Sequence, residues 1–294
     1  VVVGAGVRLE DVEARLTVIP SGVRLKGVKL GAWRREDLSI ELLSELVEGE
    51  YLPGPFRIGE RAGERDRLLS YAIGGLIPRA TRELSLRRKA VDCVRRFLDL
   101  EGVDRLTPQE ARGIIFEIVA LCTGNPDPYW RERTVYRERG EMIAEEMERE
   151  GEWDKELGDD EGGLRILIVT ERDGEAVLDL WMAAKLAKTG NWVTLAAKER
   201  VVELCPSAEE LRQLALLIPV AAEQLLKGRL RIISSGSRMP GVNLYQATPE
   251  FLSELLNADL ICIRGDDNRE TLGKLKKRVS FIAGISSLPS ALEL

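Results

Sequence analysis

The richest chemistry in this chain lies where an apolar run, 260–263, gives way to Arg264-Gly265-Asp266-Asp267-Asn268 and a helical pattern begins. Charged and amide groups at the carboxyl end of a strand, just before a helix, stand where open α/β sheets bind ligands. The same residues also suit a plain strand-to-helix loop with Asn268 as N-cap. Three other segments have this character. Thr170-Glu171-Arg172-Asp173-Gly174-Glu175 carries three carboxylates around a glycine, a set that suits a divalent cation or the positive end of a helix. Lys198-Glu199-Arg200 follows another apolar run, with Cys205-Pro206-Ser207 shortly after. Ser234-Ser235-Gly236-Ser237-Arg238 offers small polar side chains and open amides that suit a phosphate. Acids, arginine, lysine and amide on one rim fit a phosphorylated ligand with a metal. The metal would polarise a phosphoryl oxygen and activate water. Lys198 and Arg264 would neutralise charge on the transferred group.

Composition narrows the chemistry. The 294 residues contain no histidine, which excludes Ser-His-Asp and Cys-His catalysis and histidine-ligated zinc. A metal here would rest on oxygen ligands and a thiolate at most, which favours a hard cation. The four cysteines, Cys93, Cys122, Cys205 and Cys262, form no C-x-x-C site, and Cys122 and Cys262 read as core residues. A net charge of -6 and 5% aromatics leave no basic or base-stacking surface, so no nucleic-acid partner is expected. No apolar run reaches membrane-spanning length, no signal peptide is visible, and the reading is a cytoplasmic protein. Charged residues at 31%, with both signs interleaved, point towards the ion-pairing of thermophile proteins.

These residues need elements to hold them. Apolar strand-like runs at 164–170, 192–196, 230–234, 260–263 and 279–283 alternate with helical patterns at 175–188, 208–226, 249–256 and 269–276. That alternation predicts a doubly wound α/β fold with a parallel-rich sheet, and it puts the loops after the strands on one rim. Upstream, 67–153 reads as helical. Thr107, Pro108 and Glu110 form a capping box with proline at the first helical position. Ile114, Ile115, Ile118, Val119 and Cys122 make the buried stripe, and Gly124 ends the helix. Asn125-Pro126-Asp127-Pro128-Tyr129 is a stiff turn. The charge-laced helix at 131–150 reads as a solvated face. Gly158-Asp159-Asp160-Glu161-Gly162-Gly163 reads as a linker. The division is therefore an N-terminal extension of unclear fold at 1–66, a helical subdomain at 67–157 and an α/β domain at 164–294. In the extension, 15–18 and 23–30 suggest short strands and 37–47 a helix. Val1 to Gly6 begins like a dinucleotide fingerprint, but Leu9 stands at the third glycine and Asp11 and Glu13 occupy the pyrophosphate position.

The ordered motifs at 67–283 resemble the damage-control phosphatase family, metal-dependent proteins related to the acidic-residue methyltransferase domain. Ala258-Asp259-Leu260 through Arg264-Gly265-Asp266-Asp267-Asn268-Arg269-Glu270-Thr271-Leu272 is similar to its A-D-L/V-I/V-x-x-K-G-x-x-N-F/Y-E-x-L signature. Ile232 to Arg238 with Gly241-Val242 resembles V-I-S-x-G-x-x-x-x-G-V. Thr170 to Glu175 with Asp179 resembles T-D-N-x-G-E-x-x-x-D, and Thr123 to Tyr129 resembles a turn of the helical subdomain. The resemblance implies a phosphatase acting on sugar phosphates or damaged phosphometabolites, with manganese, magnesium, cobalt or nickel as cofactor. It implies metal ligation by Glu171 and Cys205, catalytic roles for Glu171, Asp173 and Asp266, and phosphate contacts from Lys198, Ser235, Arg264, Asn268 and Arg172. The departures fall on the ligands. The family's metal-binding Asp-Asn becomes Glu171-Arg172, a further ligand Asp becomes Cys205 with Leu204 before it, and the signature lysine becomes Arg264. Two expectations follow: a phosphatase with a degenerate metal site, or a non-catalytic relative that binds a phospholigand or a protein, with Arg172 in the metal's place.

Overall fold

The computed structural model describes residues 45–282 apart from 101, 153–161 and 278, together with three short strands nearer the N-terminus. Those strands, β1 (Thr17–Ile19), β2 (Gly22–Leu25) and β3 (Val28–Leu30), pair antiparallel in the order β1-β2-β3. The expected strand over 23–30 is thus two strands joined by a reversal. The fingerprint-like start, most of the helix expected at 37–47 and most of the acidic linker lie outside the described residues.

The longer helices of the helical part are α1 (Glu64–Tyr71), α2 (Leu84–Leu98), α3 (Pro108–Thr123) and α4 (Trp130–Glu150). α3 begins as its sequence predicts. Thr107 Oγ1 accepts from Glu110 N, Glu110 caps Thr107 N in return, and Gly124 closes the helix with a φ of 70°. Phe97, Leu76, Ile114 and Ile118 fill a core of their own.

The C-terminal part alternates β4 (Arg165–Val169), α5 (Asp173–Lys188), β5 (Trp192–Ala197), α6 (Ala208–Ala215), α7 (Pro219–Leu226), β6 (Leu230–Ser234), α8 (Pro249–Asn257), β7 (Leu260–Arg264), α9 (Asp266–Leu272) and β8 (Val279–Ile282). All pairings in this sheet are parallel and the order is β6-β5-β4-β7-β8. Successive side chains of a strand alternate between faces. Ile166 and Ile168 of β4 accordingly meet α5 and α6, whereas Leu167 and Val169 meet α8 and the 242–247 loop. Both faces are covered, as a parallel sheet requires. The pattern expected as one helix over 208–226 is two, because Pro219 disfavours helical backbone at Ile218, which is extended at φ -98° and ψ 109°.

The order reverses between β4 and β7, the topological switch point at which such sheets bind ligands. α4 packs along α5 and ties the helical part to this sheet. Gly140 and Gly174 permit the contact: a Cβ at Gly140 would collide with the Gly174 carbonyl, and one at Gly174 with the Tyr136 carbonyl. No described helix is long and apolar enough to cross a membrane.

Candidate functional site

Two loops meet at the switch point, 170–172 after β4 and Gly265 after β7. Asn268 joins them. Its Nδ2 donates to Thr170 O and Arg264 O, both at 2.9 Å, and its Oδ1 accepts from Lys198 Nζ at 3.3 Å. Asn268 is therefore not the helix cap that its position suggested. α9 starts two residues earlier, Gly265 is the cap residue, and the Asn268 amide staples two strand ends together. Lys198 is buried and also donates to Gly241 O, so its ammonium is held between backbone and amide oxygens.

Glu171 lies across Gly265. The glycine has a φ of 82°, and a Cβ there would fall on the Glu171 carboxylate. The carboxylate is buried and no described residue donates a hydrogen bond to it. Burial, reinforced by the charge of Asp267, raises it from the ordinary 4.5 to about 7, against the opposing pull of Lys198 and Arg172. Beside it is a cleft of about 140 Å³ lined by Glu171, Arg172, Glu175, Gly265, Asp266 and Arg269, among others. Arg172 and Arg269 are exposed, and their side chains have no hydrogen-bond or ion-pair partner among the described residues.

The other expected residues have different surroundings. Arg264 does not face the rim: its Nε donates to Asp179 at 2.7 Å and the pair is buried below the sheet edge. Asp173 is fully buried and bonded by Arg133 Nε at 2.5 Å and Arg137 Nε at 2.9 Å, so both of its oxygens are occupied. The Ser235 hydroxyl accepts from Ser237 N at 3.3 Å within its own loop. Cys205 is buried at a tight turn closed by Cys205 N to Val202 O at 2.9 Å. Burial pushes its thiol well above the ordinary range, so it is protonated at neutral pH. Asp266 is exposed at the cleft mouth.

These placements bear on the metal. Among the described residues no three His, Cys, Asp or Glu groups gather closely enough to hold an ion. Asn268 Oδ1 faces an ammonium, Cys205 keeps its proton, and Arg172 brings a cation to the rim. The residues present do not fit a hard divalent cation, which takes several oxygen ligands at once.

Residues the motifs did not single out complete the rim. Arg112 of α3 bonds Asp267 Oδ1 at 2.9 Å and Glu203 Oε1 at 3.1 Å. Tyr71 donates to the same Glu203 at 2.7 Å, and Glu203 has a left-handed backbone, φ 54°, unusual for a side-chain-bearing residue. Arg133, expected on a solvated face, is only 1% exposed and bonds Asp127, Asp173 and Glu210. Helix 131–150 therefore turns one arginine inward, and a local charge pattern carries no sign of which one.

Comparison with known proteins agrees with this architecture. Residues 150–285 match the damage-control phosphatase ARMT1-like domain. The chain is 24% identical over 252 residues to damage-control phosphatase PH1575 of Pyrococcus horikoshii, in an alignment covering 70% of this chain and 84% of the relative. A crystal structure of a DUF89 family protein from Pyrococcus horikoshii shares its fold with a TM-score of 0.61 at 18% identity, over 80% of this chain and 95% of that one. The parallel sheet and the loops at its switch point lie within residues 150–285, the segment that matches the ARMT1-like domain of the damage-control phosphatases.

Proposed function

We propose that this chain binds a phosphorylated small molecule, a sugar phosphate or a damaged phosphometabolite, in the cleft between β4 and β7, and does so without a resident divalent cation. The observation that carries this reading is the cleft's charge arrangement: unpaired Arg172 and Arg269 at its mouth beside the unpaired, buried Glu171. Arginine forks suit phosphate oxygens. Glu171, raised to about 7, is divided between its acid and base forms near neutral pH and can hold or release a proton beside a bound phosphate. Asp266 at the mouth would orient hydroxyl groups of the sugar. Turnover on this reading is slow or absent, because no cation would neutralise the transferred group apart from the arginines.

Thermal melting with fructose 6-phosphate or ribose 5-phosphate, with and without manganese, magnesium, cobalt or nickel, tests the reading, since a ligand of the folded state raises the melting temperature. Stabilisation by sugar phosphate alone, lost in Arg172→Ala, is expected. Stabilisation by metal, with metal-dependent phosphate release abolished in Glu171→Ala, would replace it with a metal-dependent phosphatase. No response to either ligand would overturn both.

A further inference from the structure

A second hollow lies in the helical part, away from the switch point. It has a volume of about 620 Å³, and its walls include Arg79, Thr81, Arg82, Pro126, Trp130 and Arg131. That volume is within the range of sites for small molecules.

The charges in its wall do not cancel. Arg79 is committed: it bonds Glu132 at 2.7 Å and Gly75 O at 2.7 Å, and its guanidinium lies 5.1 Å from the centre of the Tyr129 ring. Asp127 is committed to Arg133 at 2.5 Å. Arg82 and Arg131 are exposed, and their side chains have no hydrogen-bond or ion-pair partner among the described residues. Two cations therefore remain after the internal pairs are formed. Trp130, next to Arg131 in the sequence, lines the same wall and is 59% exposed although it is the largest apolar side chain there. An exposed indole and unpaired guanidinium groups in one hollow have complementary preferences: the indole face takes a flat ring, and the guanidinium forks take a phosphate.

We infer that this hollow is a ligand site for a nucleoside monophosphate, or a molecule of the same plan, with the base against Trp130 and the phosphate on Arg82 and Arg131. The site is connected to the switch point by one chain of ion pairs. Asp127 lies in its wall and bonds Arg133, and Arg133 bonds Asp173, which directly follows Arg172. A ligand that shifts the 125–130 turn would move the Arg133 clamp and, with it, the start of α5. Binding in this hollow does not require that the β4–β7 cleft hold a ligand.

Calorimetric titration of the full chain with AMP, followed also by tryptophan fluorescence, tests this. Saturable binding with a change in fluorescence is expected. Adenosine, which lacks the phosphate, and ribose 5-phosphate, which lacks the base, should each reach this site at least about tenfold more weakly. Arg82→Ser with Arg131→Ser, and separately Trp130→Ala, should each weaken AMP by about tenfold or more, while Arg172→Ser leaves it unchanged. All three residues are exposed, so these variants should keep the wild-type melting temperature, and circular dichroism checks that they do. Absence of saturable AMP binding overturns the inference. So does binding unaffected by both sets of substitutions, or binding lost in Arg172→Ser, which would move AMP to the other cleft.

Discussion

The Glu171 carboxylate occupies the space that any side chain at Gly265 would need. The two residues follow adjacent strands, β4 and β7, and both line the switch-point cleft. Gly265→Ala should displace Glu171 as well as strain a backbone with φ 82°, with the backbone effect alone costing at least about 1 kcal/mol. Adding Glu171→Ala removes the obstruction. The double variant should then be less destabilised in urea than the two single changes summed, because residues in contact couple. Additive losses would show that the two do not share that space.

The titration of Glu171 sets a pH signature. Its folded value, about 7, lies above its ordinary 4.5. Below pH 4.5 the carboxyl is protonated in both the folded and unfolded chain and burial costs little. As pH rises towards 7 the unfolded chain releases this proton while the folded chain retains it, so stability falls across that window and levels off above it. Glu171→Gln should therefore stabilise the protein at pH 8 by up to about 3 kcal/mol more than it does at pH 4. Urea unfolding of both proteins at the two pH values measures this difference. An equal effect at both would mean that Glu171 titrates normally.

Arg133 carries three carboxylates across the boundary between helical part and sheet. Arg133→Met leaves the fully buried Asp173 with Arg137 alone, and should cost about 3–5 kcal/mol, the range for breaking a buried pair on one side. Adding Asp173→Asn should recover part of that loss. Arg131→Met, two residues before Arg133 on the opposite, exposed face of α4, should change stability by no more than about 0.5 kcal/mol. Chemical denaturation of the three variants separates a buried clamp from a general effect of charge.

The Arg264–Asp179 pair is buried and imperfectly satisfied: Arg264 Nη1 and Asp179 Oδ2 have no partner. Removing either side strands the other's charge, so Arg264→Met and Asp179→Leu should each destabilise strongly. Made together they replace an ion pair with apolar volume and should lie closer to wild type than either alone. If the double variant is as unstable as the worse single one, the pair does more than satisfy itself.

Local patterns carried much of this architecture. The capping box at Thr107 and Glu110, the stop at Gly124 and the five apolar runs act through neighbours a few residues away, so helix α3 and the strand segments could be read without a structure. Parallel pairing followed from the alternation of strand and helix, and the rim followed from parallel pairing. The motifs at 170–175, 232–242 and 258–272 likewise carried the resemblance that the family match bears out.

The direction in which each rim side chain turns belongs to the tertiary structure. Arg264 and Asn268 are four residues apart, yet one reaches back to Asp179 in α5 and the other spans to Thr170. Arg133 is one of several arginines on a charged helix, and only the packing of α4 on α5 at Gly140 and Gly174 selects it for burial. The sequence alone determined which charges the chain carries and the strands that bring them to one edge. The burial of Glu171, the pairing of Lys198 with Asn268 and the unpaired state of Arg172 depend on contacts between distant segments, because desolvation and pairing are set by what surrounds a group in space.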